Sequence, residues 1–220
     1  MRSLIFQYDF NNRIKTLGWH NTFLVEHSSP AVGSDFDFTR LQLHLRYAFP
    51  LANDRIRTRF LFGFSNAKLP IQRQFVIDGM GGLRGYPWRR QETASEGIIT
   101  YDSGYTSSPY AFTGDRGFLL NVEYHYRLSN LFKLHFFEKF FVVAFLDEGQ
   151  VWEASDAAYT FDPKANIGIG LQIGEDDAVT VVNINGLHSG GDASVFRVNI
   201  AKALESGRGI QMTIAWYHNF

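Results

Sequence analysis

In the stretch GGLRGYPWRR, Gly81 to Arg90, an arginine stands between glycines and ahead of a row of aromatics. Gly81, Gly82 and Gly85 allow the backbone to turn tightly and approach another wall closely, and Tyr86, Pro87 and Trp88 give the tip a rigid apolar body. Such a loop is built to dock. Docking would take the Arg84 guanidinium out of water, a cost that carboxylates and further hydrogen bonds must offset. The chain offers Glu123 in LNVEYHYRL and Asp147 in FLDEG. The alternative is an ordinary glycine turn with Arg84 in solvent. In the docked reading the chemistry is electrostatic pairing, with no bond made or broken.

Other reactive constellations are weaker. The 7 histidines are scattered, and no HExxH, GxSxG or phosphate-binding loop is present. His20, His44 and Asp9 can share one sheet face, which keeps a small barrel enzyme as a competing reading. Lone polar residues lining a wet cavity are usually just solvated, so no catalytic residue is assigned. No histidine or carboxylate pair has ligand spacing, and the chain has 0 cysteines, so neither a metal nor a cofactor is expected. A formal net charge of -1, made of interspersed charges of both signs, leaves no field to draw nucleic acid.

The elements that must position these residues alternate with a period of two. Leu41, Leu43, Leu45, Tyr47 and Phe49 share one face against Gln42, His44 and Arg46, and Ile56, Thr58, Phe60, Phe62 and Phe64 oppose Arg55, Arg57 and Arg59. The same rule predicts strands around Leu4–Phe10, Leu17–Glu26, Phe118–Tyr126, Asn166–Ile173, Phe196–Ile200 and Ile210–Phe220. Phe140 to Phe145 is apolar on both faces. That gives nine strands, with Ala178–Ile184 a doubtful tenth. Connections run short, long, short, then very long from Ser65 to about Arg116, which puts long and short ends on opposite rims of an antiparallel sheet.

A soluble sandwich also alternates. Here, however, the apolar face is loaded with Phe, Tyr and Trp near strand ends, like an interfacial girdle, and the polar face carries Arg, His, Asn, Gln and Gly, like a hydrated lumen. The pattern therefore favours an all-β, antiparallel transmembrane barrel. No window reaches the roughly 18 apolar residues of a helical span. The opening MRSLIFQYDFNN lacks the features of a signal peptide, so the chain is expected to be either cytoplasmic or a piece of a longer precursor.

Three ordered motifs carry a resemblance. GGLRGYPW resembles the arginine-glycine-aromatic motif in the long sixth external loop of the BamA/TamA superfamily, which includes the two-partner-secretion transporters. LNVEYHYRL is similar to the strand after it, and VAFLDEGQVW to the next, with its aspartate-x-glycine signature at Asp147 and Gly149. The terminal IQMTIAWYHNF, with Trp216, His218 and Phe220, ends on an outward aromatic as that family's last strand does.

The resemblance implies that residues 1–220 form the carboxy-terminal nine or ten strands of a sixteen-strand barrel, with POTRA domains upstream. It implies that the 65–116 loop folds inward, with Gly81, Gly82, Leu83, Arg84, Gly85 and Tyr86 docking against Glu123, Asp147 and Gly149. The terminal strand would serve as seam and assembly signal. The implied location is the bacterial outer membrane, and the implied partners are outer-membrane lipid, client polypeptides and the barrel assembly machinery. The implied work is insertion or translocation of polypeptide without covalent chemistry. Competing functions are a passive barrel anchoring or exporting a fused amino-terminal domain, such as a patatin-like lipase, and a small outer-membrane barrel enzyme.

Overall fold

The computed structural model describes residues 1–12, 17–77, 82–86, 92–93, 99–100, 113–132, 135–155, 160–174 and 195–217. Nine strands form one antiparallel sheet: β1 (Leu4–Asn11), β2 (Gly18–Ser28), β3 (Phe38–Leu51), β4 (Asp54–Ser65), β9 (Arg116–Arg127), β10 (Phe140–Trp152), β11 (Lys164–Ile173), β12 (Val195–Ala203) and β13 (Ile210–Tyr217). Their spatial order follows the chain, with the long loop joining β4 to β9 and with β1 and β13 as the two edges. All nine strands expected from alternation are present, and the doubtful tenth, Ala178–Ile184, lies outside the described residues.

The long loop is not wholly irregular. Within it β5 (Phe75–Val76) pairs with β8 (Thr113–Gly114), and β6 (Glu92–Thr93) with β7 (Ile99–Thr100). These two-residue strands are too short to show a period in sequence.

Which face is buried is inverted relative to a soluble sheet. Glu26, Arg40, His44, Arg55, Asn121, His125, Asp147, Asn166, Gln172 and Asn199 are buried on the inner face, whereas Phe62, Val142, Ile169, Ile200, Ile214 and Trp216 are exposed on the outer one. Register enforces this sorting, because a slip of one residue would turn every side chain to the other face. β10 is apolar on both faces because its inner residues Phe141, Val143 and Phe145 form a packed cluster with Ala201 of β12. Cations rest on that row: Arg55 and Arg127 lie 4.4 and 5.1 Å from the Phe141 ring centre.

Connection lengths follow the expected alternation only at first. One rim carries the links 12–17, 52–53, 128–139 and 174–194, and the other carries 29–37, 66–115, 153–163 and 204–209. The last pair inverts the rule, with the longer link on the rim that holds the tight β3–β4 turn. That turn, hereafter marking the turn rim, places Ala52 at φ 56, the left-handed geometry of tight hairpins.

Candidate functional site: the docked loop arginine

The loop enters the inner face in two stages. Its descending part packs Leu69 and Phe75 against Phe38 of β3. Asp115, buried just before β9, accepts from the Leu69 and Ala154 backbone N–H groups at 2.8 and 3.0 Å and so ties the base of the loop to the end of β10. Deeper in, Ile77, Leu83 and Tyr86 join Leu61 of β4, Leu119 of β9 and Ala203 of β12 in one buried cluster. Full burial of a leucine or isoleucine contributes about 1.5–3 kcal/mol, so this packing holds the loop independently of charge.

Residues 82–86 lie against the wall where β9, β10 and β11 meet. The Leu83 N–H donates to Ile77 O at 2.7 Å, and the Tyr86 N–H donates back to Leu83 O at 3.1 Å, which makes a tight turn with Arg84 at its tip. Gly85 sits where a Cβ would come within 2.5 Å of Asn166 Cβ and 2.9 Å of the Ala203 N, so only glycine allows this approach to β11 and β12.

Two rows of the sheet receive the arginine. Asp147 pairs in register with Asn121 on one side and Asn166 on the other, and two residues along β10 Phe145 pairs with Glu123 and Gly168. A side chain at Gly168 would overlap the Phe145 ring, so the glycine leaves room for that ring to form a platform. The Arg84 guanidinium lies over it, 3.6 Å from the ring centre.

Its edge then meets both acids. Arg84 Nε donates to Asp147 Oδ2 at 2.9 Å, Nη2 to Asp147 Oδ1 at 2.5 Å, and Nη1 to Glu123 Oε1 at 2.5 Å. A fork meeting a carboxylate in this way is something arginine does and lysine does not. Arg84 is 3% exposed and Asp147 0%. Burial pulls the Arg84 pKa down, but Glu123 and then Asp147 overcome that pull and hold it above its ordinary value, so the group stays charged.

The carboxylates are themselves held. Asp147 also accepts from Asn121 Nδ2 at 2.6 Å, Asn166 Nδ2 at 2.8 Å and the Arg84 backbone N at 3.3 Å. Asn121 Nδ2 reaches Gly82 O at 3.1 Å, and Arg59 of β4 donates to Asn121 Oδ1 at 2.8 and 2.6 Å. Arg197 of β12 donates to Glu123 at 2.9 and 3.2 Å, and His125 Nε2 lies 2.8 Å from the same carboxylate. The network therefore spans β4, β9, β10, β11 and β12, and the loop arginine sits at its centre.

Arg84, Glu123 and Asp147 thus stand together, with Gly82, Leu83, Gly85 and Tyr86 around them. Gly149 stands apart from the arginine: a Cβ there would meet Phe118 O at 2.7 Å and Ile77 Cδ1 at 3.2 Å, so it accommodates the descending loop rather than its tip. Trp216 points outward on β13, away from this network, and Gly81, His218 and Phe220 lie outside the described residues. Pro87 and Trp88 do as well.

The wall residues Asn121, Asn166, Arg59 and Arg197 are not marked as members of this site by any motif in the sequence. Nor is a second cluster, in which buried Glu26 of β2 lies 3.2 Å from Arg73 Nε of the loop and 3.8 Å from Arg40 Nη1 of β3. Ser3 Oγ donates to the same Glu26 at 2.8 Å. The signal for both was the period-two placement of polar residues on the inner face, which marks the face but not the register. Of the enzyme candidates, Asp9 of β1 and buried His44 of β3 stand in register on either side of Thr22 of β2, whose Oγ1 donates to Asp9 at 2.7 Å, and His20 lies two residues along β2 on the same face, so the three share one face as expected. Among the described residues, no group of three or more histidines and acids could hold a metal ion.

The chain matches no curated protein. The model of the Omp85 superfamily domain matches residues 3–175, which takes in the first strands, the long loop with Arg84, and the β9, β10 and β11 strands that receive it. With an antiparallel sheet apolar on its exposed face and a loop arginine clamped to the wall behind it, the chain is a member of the Omp85 superfamily.

Proposed function

We propose that this chain is the carboxy-terminal part of an outer-membrane barrel of the BamA/TamA kind, which inserts polypeptides into the outer membrane or moves them across it. Omp85 domains belong to bacterial outer-membrane insertion and translocation barrels, and that family assignment supports the general role. The observation that carries the reading is the inverted sheet, with ion pairs buried on one face and Phe, Ile and Trp exposed on the other. A membrane barrel needs this arrangement because lipid replaces water as the outer solvent.

In this reading the barrel is completed to sixteen strands by chain upstream of β1, together with POTRA domains, and residues 65–116 are the external loop folded inward. The work is mechanical and electrostatic. Arg84 braces the loop against Glu123 and Asp147, and the open edge at β13 pairs with incoming strands through free backbone groups. Trp216, His218 and Phe220 form the signal that the assembly machinery reads on this chain itself.

The test is client folding. Liposomes containing the protein are mixed with a urea-unfolded outer-membrane barrel, and the folded client is followed by its heat-dependent gel mobility. Faster folding than in empty liposomes is the expected result. Equal rates would reject insertion and leave a passive anchor for a fused domain.

A further inference from the structure

The link between β9 and β10 exposes more apolar surface than a connection requires. It contains α1 (Ser129–Phe132) and a 3-10 turn over His135–Lys139. Phe136 is 71% exposed, Leu131 63%, and Phe132 is exposed beside them. The phenylalanine rings of the link form one group with Phe140: Phe132 to Phe137 at 4.8 Å, Phe136 to Phe137 at 5.3 Å, and Phe136 and Phe137 to Phe140 at 5.1 and 5.6 Å.

The direction of this group is set by Phe140. Phe141, its neighbour, is buried on the inner face, so Phe140 opens β10 on the outer face, opposite Ile173 of β11. The aromatic cluster is therefore continuous with the outer apolar face and turned away from the inner face that the loop occupies. On the same turn rim and the same outer face, Trp19 stacks on Tyr47 at 4.1 Å and Tyr47 on Phe49 at 5.4 Å. Water-soluble surfaces rarely leave such a patch uncovered.

The backbone suits a water-poor boundary. Leu131 and Phe132 N–H groups donate to Leu128 O at 3.0 and 3.1 Å, Leu128 N–H donates to Phe140 O at 2.9 Å, and Arg127 Nη1 donates to Glu138 O at 3.2 Å. Glu138 and Lys139 stay exposed at the edge of the patch, where charged tips can remain among headgroups while the rings enter the acyl boundary.

We propose that the described parts of the β9–β10 link, residues 128–132 and 135–139, are an interfacial anchor. It lies in the bilayer surface at the turn rim and seats Leu131, Phe132 and Phe136 among the phospholipid acyl chains just below the headgroups. The inference rests on the membrane reading given under Proposed function, and it adds a lipid contact made by a link rather than by a strand. Its occupant is phospholipid, because the patch continues the face that such a barrel already turns to lipid.

The absence of native cysteine makes the test direct. Phe136→Cys and Ile169→Cys are made separately in the whole protein, labelled with an environment-sensitive fluorophore, and reconstituted in vesicles of phosphatidylethanolamine and phosphatidylglycerol. Quenching by lipids brominated at shallow or deep acyl positions reports depth. The inference expects the label at 136 to be quenched several-fold more by shallow than by deep bromines, while the label at 169 is quenched by the deep ones. A label at 136 that no bromolipid quenches, with 169 still quenched, would overturn the anchor and leave the membrane reading standing. That outcome includes burial of the link against another protein domain. Loss of quenching at both positions would reject the membrane reading itself, and the anchor with it. Should Phe136→Cys fail to fold, Leu131→Cys gives the same readout.

Discussion

Arg84 is worth most where it is hardest to replace. Its guanidinium lies on Phe145 and reaches two acids at once, and removing it would leave Asp147 and Glu123 buried with fewer partners. Breaking a buried pair by deleting one member costs about 3–5 kcal/mol, more than the intact pair contributes. Arg84→Ala should therefore lower the temperature at which the folded band converts to the unfolded one on semi-native gels. Arg84→Lys should fall between the two, because an ammonium keeps the charge but loses the fork and the flat stacking surface. An unchanged transition in Arg84→Ala would remove the brace from the account. At this scale the sequence was informative about types and poor about partners. A glycine-flanked arginine and two downstream acids announced a charge network, but Asn121 and Asn166 flank Asp147 only because three strands share one register. Arg197 reaches Glu123 from a residue 74 positions away, and no local pattern carries that information.

Among the elements, the loop and the strands fare differently. Strands with one apolar and one polar face declare themselves by alternation, and all nine were legible for that reason. Phe140 to Phe145 hid its inner face, because Phe141, Val143 and Phe145 serve as a packed floor for arginines rather than as lipid-facing residues. The loop was legible as a long interruption carrying an arginine aimed at two acids, but not in the rest of its hold on the wall. That remainder rests on Asp115 at the base, Glu26 with Arg73 along the descent, and the apolar cluster of Ile77, Leu83 and Tyr86. The close approach at Gly85 yields a prediction for the loop as a unit. In Gly85→Val the branched side chain would drive into Asn166 and the Ala203 backbone, so the tip should lift although every charge remains. Limited proteolysis in detergent should then cut near residues 82–86 several-fold faster than in the parent protein. Equal cutting rates would mean that the tip is not held by this contact.

At the scale of the molecule, the organising fact is an inverted sheet whose edges, among the described residues, are β1 and β13. β1 is exposed along its whole length, and β13 presents Ile210, Met212, Ile214 and Trp216 outward. Alternation alone left a sandwich open, since both architectures alternate, and the aromatic-loaded face favoured the barrel. The burial of charged pairs opposite exposed aromatics supports the same reading, because a sandwich would have closed over the apolar face. The most direct measurement is a nitroxide scan along β12 in vesicles, one cysteine at a time from Phe196 to Ala201, comparing collision with oxygen, which concentrates in lipid, and with a water-soluble nickel chelate. The account predicts a period of two, with labels at 196, 198 and 200 favouring oxygen and labels at 197, 199 and 201 shielded from it. Labels at 196, 198 and 200 that favour the nickel chelate, or a scan without alternation, would contradict it.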